Sequence, residues 1–277
     1  MQGKSWNSVW AVYCRKRWLS KIIININMKS ECSIFFHNYY GNQDRWLEFF
    51  LRKISVPSNL YYNKVDESIY NMERQGDKYR QKYMPDTTNM IRKIIYRQSA
   101  NKGKDIGGKL ILLDAYQKLD FKTEYGLFLH DKKSLYKANN TDWTNNLLQI
   151  ADSDFCTKAI QIFLGHPEVG IITSTGNIEN EFSSNLRSFK SNNKMLLPQL
   201  QKRFNIFPAS FQYAAGTMFW FRMQPVNTFF NANPPLQIRT SLEIGNITDE
   251  DMGSNTHCWE RLLSWIITAQ GYKIKTI

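Results

Sequence analysis

The stretch "IRKIIYRQSANKGKDIGGKLILLDAYQKLDFKTEYGLFLH", residues 91–130, decides the fold. It begins with isoleucines and a tyrosine, which are typical of a β-strand. A glycine-bearing loop then opens into a helix, and the apolar run "YGLFLH" predicts a second strand. Two consecutive strands joined by a helix run parallel in one sheet. This stretch therefore predicts a parallel α/β core.

The same alternation of strands and helices continues on both sides of this stretch. We predict upstream strands at "SIFFHNYY" and "SNLYYNKVDES", with the helix "QDRWLEFFLRKI" between them. Downstream we predict the strand "VGIITST", an irregular or helical insert over 176–205, and the long strand "FQYAAGTMFWFRM". A loop containing Pro234 and Pro235 follows, and then a helix from about Thr256 to Gln270 and a final strand. This order predicts an α/β protein with a mostly parallel, Rossmann-like sheet flanked by helices.

We expect residues 31–277 to form a single domain, because the sequence contains no internal repeat and no clear linker. Residues 1–30 are predicted to be an N-terminal extension. Their Trp, Ile and basic residues suit either an interfacial helix or a poorly ordered segment.

Composition narrows the class of partner. The net charge is +12, but the basic residues are dispersed and form no nucleic-acid-binding module, so we expect no nucleic-acid partner. A phosphate-bearing substrate or an anionic membrane surface accounts for the charge better. The four cysteines are widely spaced, as in a reducing compartment. We expect a cytoplasmic protein, and peripheral association with the inner face of the membrane stays open.

Polar residues follow each of the first four predicted strands. The carboxyl ends of parallel strands meet at one edge of a sheet, where nucleotides bind in open α/β folds. In "NKGKDIGG" the positive N-terminus of the following helix suits phosphate, Lys102 and Lys104 add charge, and Asp105 suits ribose hydroxyls. The residues predicted to bind a nucleotide at this edge are His37, Asn38, Asp66, Asn101, Lys104, Asp105, His130, Asp131, Lys132 and Lys133.

Four blocks carry a resemblance to a known family: "NKGKDIGG", "LFLHDKKS", "AAGTMFWFR" and "HCWERLL". In this order and approximate spacing, over about residues 33–277, the chain resembles the rhamnan synthesis protein F family, which is linked to the assembly of bacterial surface polysaccharides. The resemblance implies a glycosyltransferase with a GT-A-like fold, in which residues 31–135 would form a nucleotide-binding half and residues 136–277 would form an acceptor-binding and catalytic half. Its donor would be a nucleotide sugar, and its acceptor would be a hydroxyl of a glycan or of a lipid-linked glycan.

The resemblance also raises the question of a metal. A GT-A enzyme usually has an Asp-x-Asp triplet after this strand, and the last carboxylate holds Mg²⁺ or Mn²⁺. Here the positions hold His130, Asp131 and Lys132. A lysine repels a divalent ion, but its ammonium group offsets phosphate charge. We therefore predict that no metal is required, although Mg²⁺ or Mn²⁺ binding stays open.

The remaining predicted site residues lie in the second half of the chain. Inverting sugar transfer needs a carboxylate to take the proton of the acceptor hydroxyl. The candidate catalytic residues are Asp251 first, then Glu250, Asp249, Glu243 and His257. The loop that carries Asp249, Glu250 and Asp251 is called the acidic loop. His257, Glu260 and Arg261 share one face of the helix that follows it. They are predicted either to orient the acidic loop or to contact the diphosphate through Arg261. The predicted acceptor-binding residues are Gly216, Thr217, Trp220, Arg222 and Glu260.

Two other functions remain open from the sequence. A carbohydrate- or nucleotide-binding module that has lost catalysis would explain the missing Asp-x-Asp triplet. A phosphosugar transferase would use "HDKK" to bind a phosphate group.

Overall fold

The structure is a computed structural model that describes residues 32–39, 44–65, 90–120, 122–131, 147–185, 187–248 and 253–277. The strands, in chain order, are β1 (Cys32–Asn38), β2 (Ser58–Val65), β3 (Ile91–Ser99), β4 (Tyr125–His130), β5 (Val169–Thr173), β6 (Ile178–Asn180), β7 (Phe182–Ser183), β8 (Ser188–Phe189), β9 (Gln212–Ala214), β10 (Phe219–Arg222) and β11 (Lys273–Thr276). The α-helices are α1 (Asp44–Lys53), α2 (Lys104–Gln117), α3 (Ser153–Gly165), α4 (Leu196–Phe204), α5 (Met223–Ala232), α6 (Pro235–Thr240) and α7 (Asn255–Thr268).

A seven-stranded sheet in the order β11-β5-β10-β4-β1-β2-β3 forms the centre of the protein. The neighbours β4-β1, β1-β2, β2-β3 and β11-β5 are parallel. Only β10 runs antiparallel to its neighbours β4 and β5. The predicted α/β class with a mostly parallel, helix-flanked sheet is confirmed.

Both faces of the sheet are covered by apolar layers. Within β1, Phe35 packs into the layer that includes α2 and α7, while Ile34 and Phe36 pack into the opposite layer with α1 and α3. Successive side chains of a strand point to opposite faces, so a strand buried on both faces is apolar throughout. This explains why "IFF" in β1 and "YGLFL" in β4 are continuous apolar runs.

Because of the direction of β10, the segment before it lies at the edge of the sheet that is formed by the carboxyl ends of β1 and β4. Phe219 lies opposite Phe128, and Arg222 lies opposite Tyr125, so β10 starts near the carboxyl end of β4. Thr217, which precedes β10, therefore lies at the same edge as His130.

Several predicted elements differ from the structure. The predicted long strand 211–223 is interrupted by a 3₁₀ turn at Ala215–Thr217, where the backbone takes left-handed angles. The predicted loop around Pro234 contains α5 and α6, because Pro235 at the first turn is compatible with a helix. The insert at 176–205 contains short strands as well as α4. The predicted last helix and final strand are confirmed as α7 and β11.

None of the helices in the described part of the chain combines the length and apolar character that crossing a membrane requires. The predicted extension over residues 1–30 lies outside the described residues.

Candidate functional site

The carboxyl ends of β1 and β4 are adjacent. His37 is paired with His130 in the strand register. Past the strand end, the Asp131 amide donates to the carbonyl of His37 at 3.1 Å, and Asp131 Oδ1 accepts from the Tyr39 amide at 2.8 Å. These bonds hold the strand ends together, so Asp131 closes the edge of the sheet in addition to any role with a ligand.

A charged cluster lies where α2 faces the end of β4. Lys109 Nζ donates to Asp105 Oδ2 at 2.7 Å, and it lies 3.2 Å from His130 Nδ1. The Thr217 hydroxyl accepts from Lys109 and donates to Asp105 Oδ2, both at 2.5 Å. We call Asp105, Lys109, His130 and Thr217 the Asp105 cluster. It unites residues from three of the four sequence blocks.

Lys109 is completely buried, and the predicted site did not include it. Burial lowers the pKa of its ammonium group, while the neighbouring Asp105 opposes that effect. For Asp105, burial alone would raise the pKa, but Lys109, His130 and Thr217 outweigh burial and hold the pKa well below its usual range. Asp105 is therefore ionised at neutral pH. The spacing of four residues between Asp105 and Lys109 was the available signal in the sequence.

Asp105 has one carboxylate oxygen available to a ligand. Oδ2 is shared by Lys109 and Thr217, whereas no described residue hydrogen-bonds Oδ1. The side chain of Asp105 is 25% exposed, so the cluster opens to solvent at this residue. Chemically, this arrangement presents a fixed, ionised hydrogen-bond acceptor.

The turn before β10 holds the Thr217 hydroxyl in the cluster. Gly216 and Thr217 have φ angles of 76° and 54°. A β-branched residue rarely adopts a left-handed conformation, which costs about 1–2 kcal/mol for an L-residue. The Gly216 amide donates to Glu260 Oε1 at 3.0 Å, so α7 secures the turn. In this way the fourth sequence block also reaches the cluster.

His37 and Asn38 are interior residues, contrary to the expectation that they face the donor. The His37 ring lies against α2, and a Cβ on Gly108 would be 1.9 Å from its Nδ1. Asn63 Nδ2 lies 2.9 Å from this nitrogen, and burial lowers the pKa of His37 to about 4. The ring is thus neutral at pH 7. Asn38 is also fully buried and donates to the Tyr62 hydroxyl at 2.7 Å.

Glu243 caps α7, and this corrects its prediction as a catalytic base. Its two oxygens accept from the backbone amides of Asn255 and Thr256, at 2.7 and 3.0 Å, and also from both side chains. Burial would raise the pKa of Glu243, but the bonds from Thr256 and Asn255 outweigh it and the pKa is lowered. A base needs a free lone pair and a pKa near the working pH, and Glu243 has neither.

His257 and Arg261 also have structural partners. His257 Nδ1 lies 2.6 Å from the Ser254 hydroxyl, which caps the same helix. Arg261 is buried, donates to Glu181 Oε2 at 2.9 Å and to Glu260 Oε2 at 2.7 Å, and stacks on the Tyr213 ring. These bonds to carboxylates occupy the guanidinium group that was expected to contact the diphosphate.

The structure does not bring Trp220 and Arg222 to the site. Trp220 is completely buried, and its indole nitrogen donates to the Ile150 carbonyl at 2.7 Å, so no ring face is open to a sugar. Arg222 lies at the opposite edge of the sheet and donates to the carbonyls of Phe163, His166 and Val169. Because β10 is antiparallel to β4, its last residue lies beside the first residue of β4 and far from the carboxyl ends of the parallel strands.

The segment that leads into the acidic loop is attached to the loop before α2. Gly103 donates to the Glu243 carbonyl at 2.7 Å, and Gly245 donates to the Asn101 carbonyl at 3.0 Å. Asn246 donates to the Tyr39 hydroxyl at 2.7 Å. The acidic loop therefore starts beside the Asp105 cluster.

Arg239 stabilises the loop before α2 and was not among the predicted residues. It extends from α6 and donates to the Ala100 carbonyl at 2.9 Å. No motif marks it in the sequence, because α6 was itself predicted to be a loop.

Several predicted site residues lie outside the described residues. They are Asp66, Lys132, Lys133, Asp249, Glu250 and Asp251. Within the described ranges, no group of three or more His, Cys, Asp or Glu side chains is arranged to hold a metal ion.

Comparison with known proteins adds no relative. No family model matches the chain, and no curated protein sequence matches it. The fold and the Asp105 cluster define the protein as an α/β protein with a polar site at the carboxyl edge of a mostly parallel sheet.

Proposed function

We propose that this protein is a GT-A-like glycosyltransferase that transfers a sugar from a nucleotide-sugar donor to a hydroxyl of a glycan or lipid-linked glycan acceptor. One observation carries the proposal. The four blocks on which the resemblance to the rhamnan synthesis protein F family rests are far apart in the chain, yet they meet at the Asp105 cluster. Asp105, His130 and Thr217 come from three blocks, and Glu260 supports the turn from the fourth.

The N-terminus of α2 is the proposed site for the diphosphate. No side chain caps this helix, and Lys104 lies in its first turn. Uncapped helix N-termini offer backbone amides and positive potential to phosphate oxygens. Lys102 is half-buried in the preceding loop and adds charge. Lys132 and Lys133, which follow the described end of β4, are proposed to face the same phosphates.

Asp105 is proposed to bind hydroxyl groups of the ribose or of the donor sugar. Its free Oδ1 accepts hydrogen bonds, and Lys109 keeps the carboxylate ionised over a wide pH range. The depressed pKa makes Asp105 a poor proton acceptor, so it serves in binding. His130 lies beside it and is proposed to contact phosphate or sugar.

The general base for transfer is proposed to be in the acidic loop, with Asp251 as the first candidate. In an inverting transfer, this carboxylate takes the proton of the acceptor hydroxyl as the hydroxyl oxygen bonds to the sugar carbon. The bond between that carbon and the diphosphate oxygen breaks, and the nucleoside diphosphate leaves. The segment that leads into this loop is hydrogen-bonded to the loop before α2, where the diphosphate is proposed to bind, and this supports the proposed role.

Fixed lysine charge is proposed to replace a divalent metal at the donor diphosphate. The position that usually supplies a metal-binding carboxylate is Lys132. An ammonium group stabilises the leaving phosphate without a metal.

The net charge of +12 also suits peripheral contact with an anionic cytoplasmic membrane face.

A non-catalytic binding module is the second candidate, and the capping role of Glu243 favours it. That carboxylate was a candidate base, and its lone pairs are occupied by α7. Such a module would bind a nucleotide sugar and release no nucleotide from it.

A thermal-shift series with UDP-, GDP- and dTDP-linked sugars tests the proposal. A donor at 100 times its Kd should stabilise the fold by about 2.7 kcal/mol, which corresponds to a rise in Tm of roughly 5–10 °C. Asp105→Asn should abolish this rise. Asp114→Asn is the matched control, because Asp114 pairs with Lys118 at the same spacing on the same helix. If no nucleotide sugar shifts the wild-type Tm, the proposed function is wrong.

A further inference from the structure

The turn that precedes β10 has an unusual backbone. Gly216 and Thr217 both have positive φ angles, and Thr217 is only 2% exposed. A β-branched residue persists in this conformation only where its surroundings enforce it, and such residues are concentrated at functional sites. The feature therefore requires an explanation beyond chain reversal.

Glu260 stabilises the turn, and its own carboxylate is held in place by Arg261. Its Oε1 accepts the Gly216 amide at 3.0 Å, and its Oε2 accepts from Arg261 at 2.7 Å. Arg261 is fixed in turn by Glu181, whose side chain is 3% exposed. These bonds fix the orientation of the Glu260 carboxylate on α7.

The strained turn places one hydroxyl between two charged groups. Thr217 Oγ1 donates to Asp105 Oδ2 and accepts from Lys109. This occupies Oδ2 and directs the other oxygen, Oδ1, to the open side of the cluster. Among the described residues, Asp105 also has two titratable neighbours, His130 at 3.8 Å and the buried ring of His37.

We infer that Glu260, Gly216 and Thr217 form a positioning device for Asp105: Glu260 fixes the turn, and the Thr217 hydroxyl fixes the carboxylate that faces the ligand. Glu260 and Thr217 are then positioning residues and contact no substrate. This assigns both a role different from acceptor binding. The consequence for ligand binding rests on the proposed function, but the effect on Asp105 itself does not.

Two substitutions at Thr217 separate the hydroxyl from the bulk of the side chain. Thr217→Val keeps the shape and removes the hydroxyl, whereas Thr217→Ser keeps the hydroxyl. Glu260→Asp keeps a carboxylate near Arg261 but shortens the reach to the Gly216 amide. These conservative changes are chosen so that the variants fold, which circular dichroism and urea unfolding verify.

The first measurement is an NMR titration of the Asp105 carboxyl carbon in the full chain. Loss of a hydrogen bond to the ionised form raises a carboxyl pKa, so Thr217→Val and Glu260→Asp should each raise it by roughly one unit. Thr217→Ser should titrate like the wild type. An unchanged pKa in Thr217→Val overturns the role of the hydroxyl, and an unchanged pKa in Glu260→Asp overturns the role of Glu260.

The second measurement is the affinity at pH 7 for the nucleotide sugar that gives the largest wild-type thermal shift. We expect affinity to fall roughly tenfold in Thr217→Val and Glu260→Asp, a loss of about 1.4 kcal/mol, and to stay unchanged in Thr217→Ser. Equal affinities in all variants overturn the inference. If no nucleotide sugar binds the wild type, the proposed function fails while the titration still decides the positioning role.

Discussion

Replacing Lys109 by methionine should strongly destabilise the protein. The substitution removes a completely buried ammonium group and leaves the ionised Asp105, among the described residues, with Thr217 and His130 as its partners. Breaking a buried ion pair by removing one partner costs about 3–5 kcal/mol. Because Asp105 is 25% exposed, water compensates part of the loss, and we expect the lower end, about 3 kcal/mol. For a chain of this size that lowers the Tm by roughly 6–12 °C.

The pair itself is tested by a double-mutant cycle. Asp105→Asn alone leaves a buried ammonium group and should also cost about 3 kcal/mol. In the double variant neither charge remains, so we expect a total cost of about 3–4 kcal/mol and a coupling energy of roughly 2–3 kcal/mol. Urea unfolding at pH 7, where the Asp105 carboxylate is ionised, measures all four proteins.

The matched control is the exposed pair on the same helix. Asp114 and Lys118 have the same spacing and a distance of 2.8 Å, but Lys118 is 65% exposed. Their cycle should give a coupling energy of only about 0.3–0.5 kcal/mol. If the Asp105–Lys109 coupling is no larger than that of the control pair, the reasoning about the buried charges is refuted.

Three further predictions concern Glu243, His37 and the metal. Glu243→Gln should lower the free energy of unfolding by about 1–2 kcal/mol, because the α7 cap is lost. Nucleotide release per folded molecule should stay unchanged. A roughly 100-fold loss of turnover at unchanged stability would instead identify Glu243 as the general base. The pKa of His37 is about 4 in the folded protein and about 6.5 in the unfolded chain. Between about pH 6.5 and pH 4 the unfolded state therefore binds more protons, and the free energy of unfolding should decline by about 3 kcal/mol as the pH falls through this range. Urea unfolding across this window should show a flatter decline for His37→Asn, and an equal slope in both proteins would argue against His37 as its source. EDTA should leave turnover largely intact, and a strict requirement for Mn²⁺ would contradict the role given to the lysines.

The architecture was predictable because the periodicity of the chain is strong near the sheet. Residues 91–130 contain β3, α2 and β4, and the apolar run of β4 matches its burial on both faces of the sheet. The antiparallel direction of β10 was not predictable in this way. It depends on pairing with β4 and β5, which are far away in the sequence.

The candidate site was predictable at Asp105 and His130, since both follow predicted strands at one sheet edge. Lys109 was missed because a lysine inside a helix is usually exposed, and only its partners explain its burial. Thr217 was predicted to bind the acceptor and not to contact Asp105. The strained turn that brings its hydroxyl to Asp105 cannot be predicted from "AAGTMFWFR".

The misplaced residues share one physical cause. Trp220, Arg222, Glu243 and Arg261 have side chains that suit a sugar or a phosphate, yet each satisfies a partner inside the protein. Residue type alone does not show whether a polar group is already paired. Burial and hydrogen-bond partners decide this, and they require the fold.

The most direct test of the proposed activity is the release of nucleoside diphosphate from the nucleotide sugar that stabilises the protein most. The account predicts measurable release by the wild type and by Asp114→Asn, and a loss of at least about 100-fold in Asp105→Asn, as for a removed charged contact of roughly 3 kcal/mol. Binding without any release would support a non-catalytic module. Equal release by wild type and Asp105→Asn would contradict the assignment of the Asp105 cluster as the donor site.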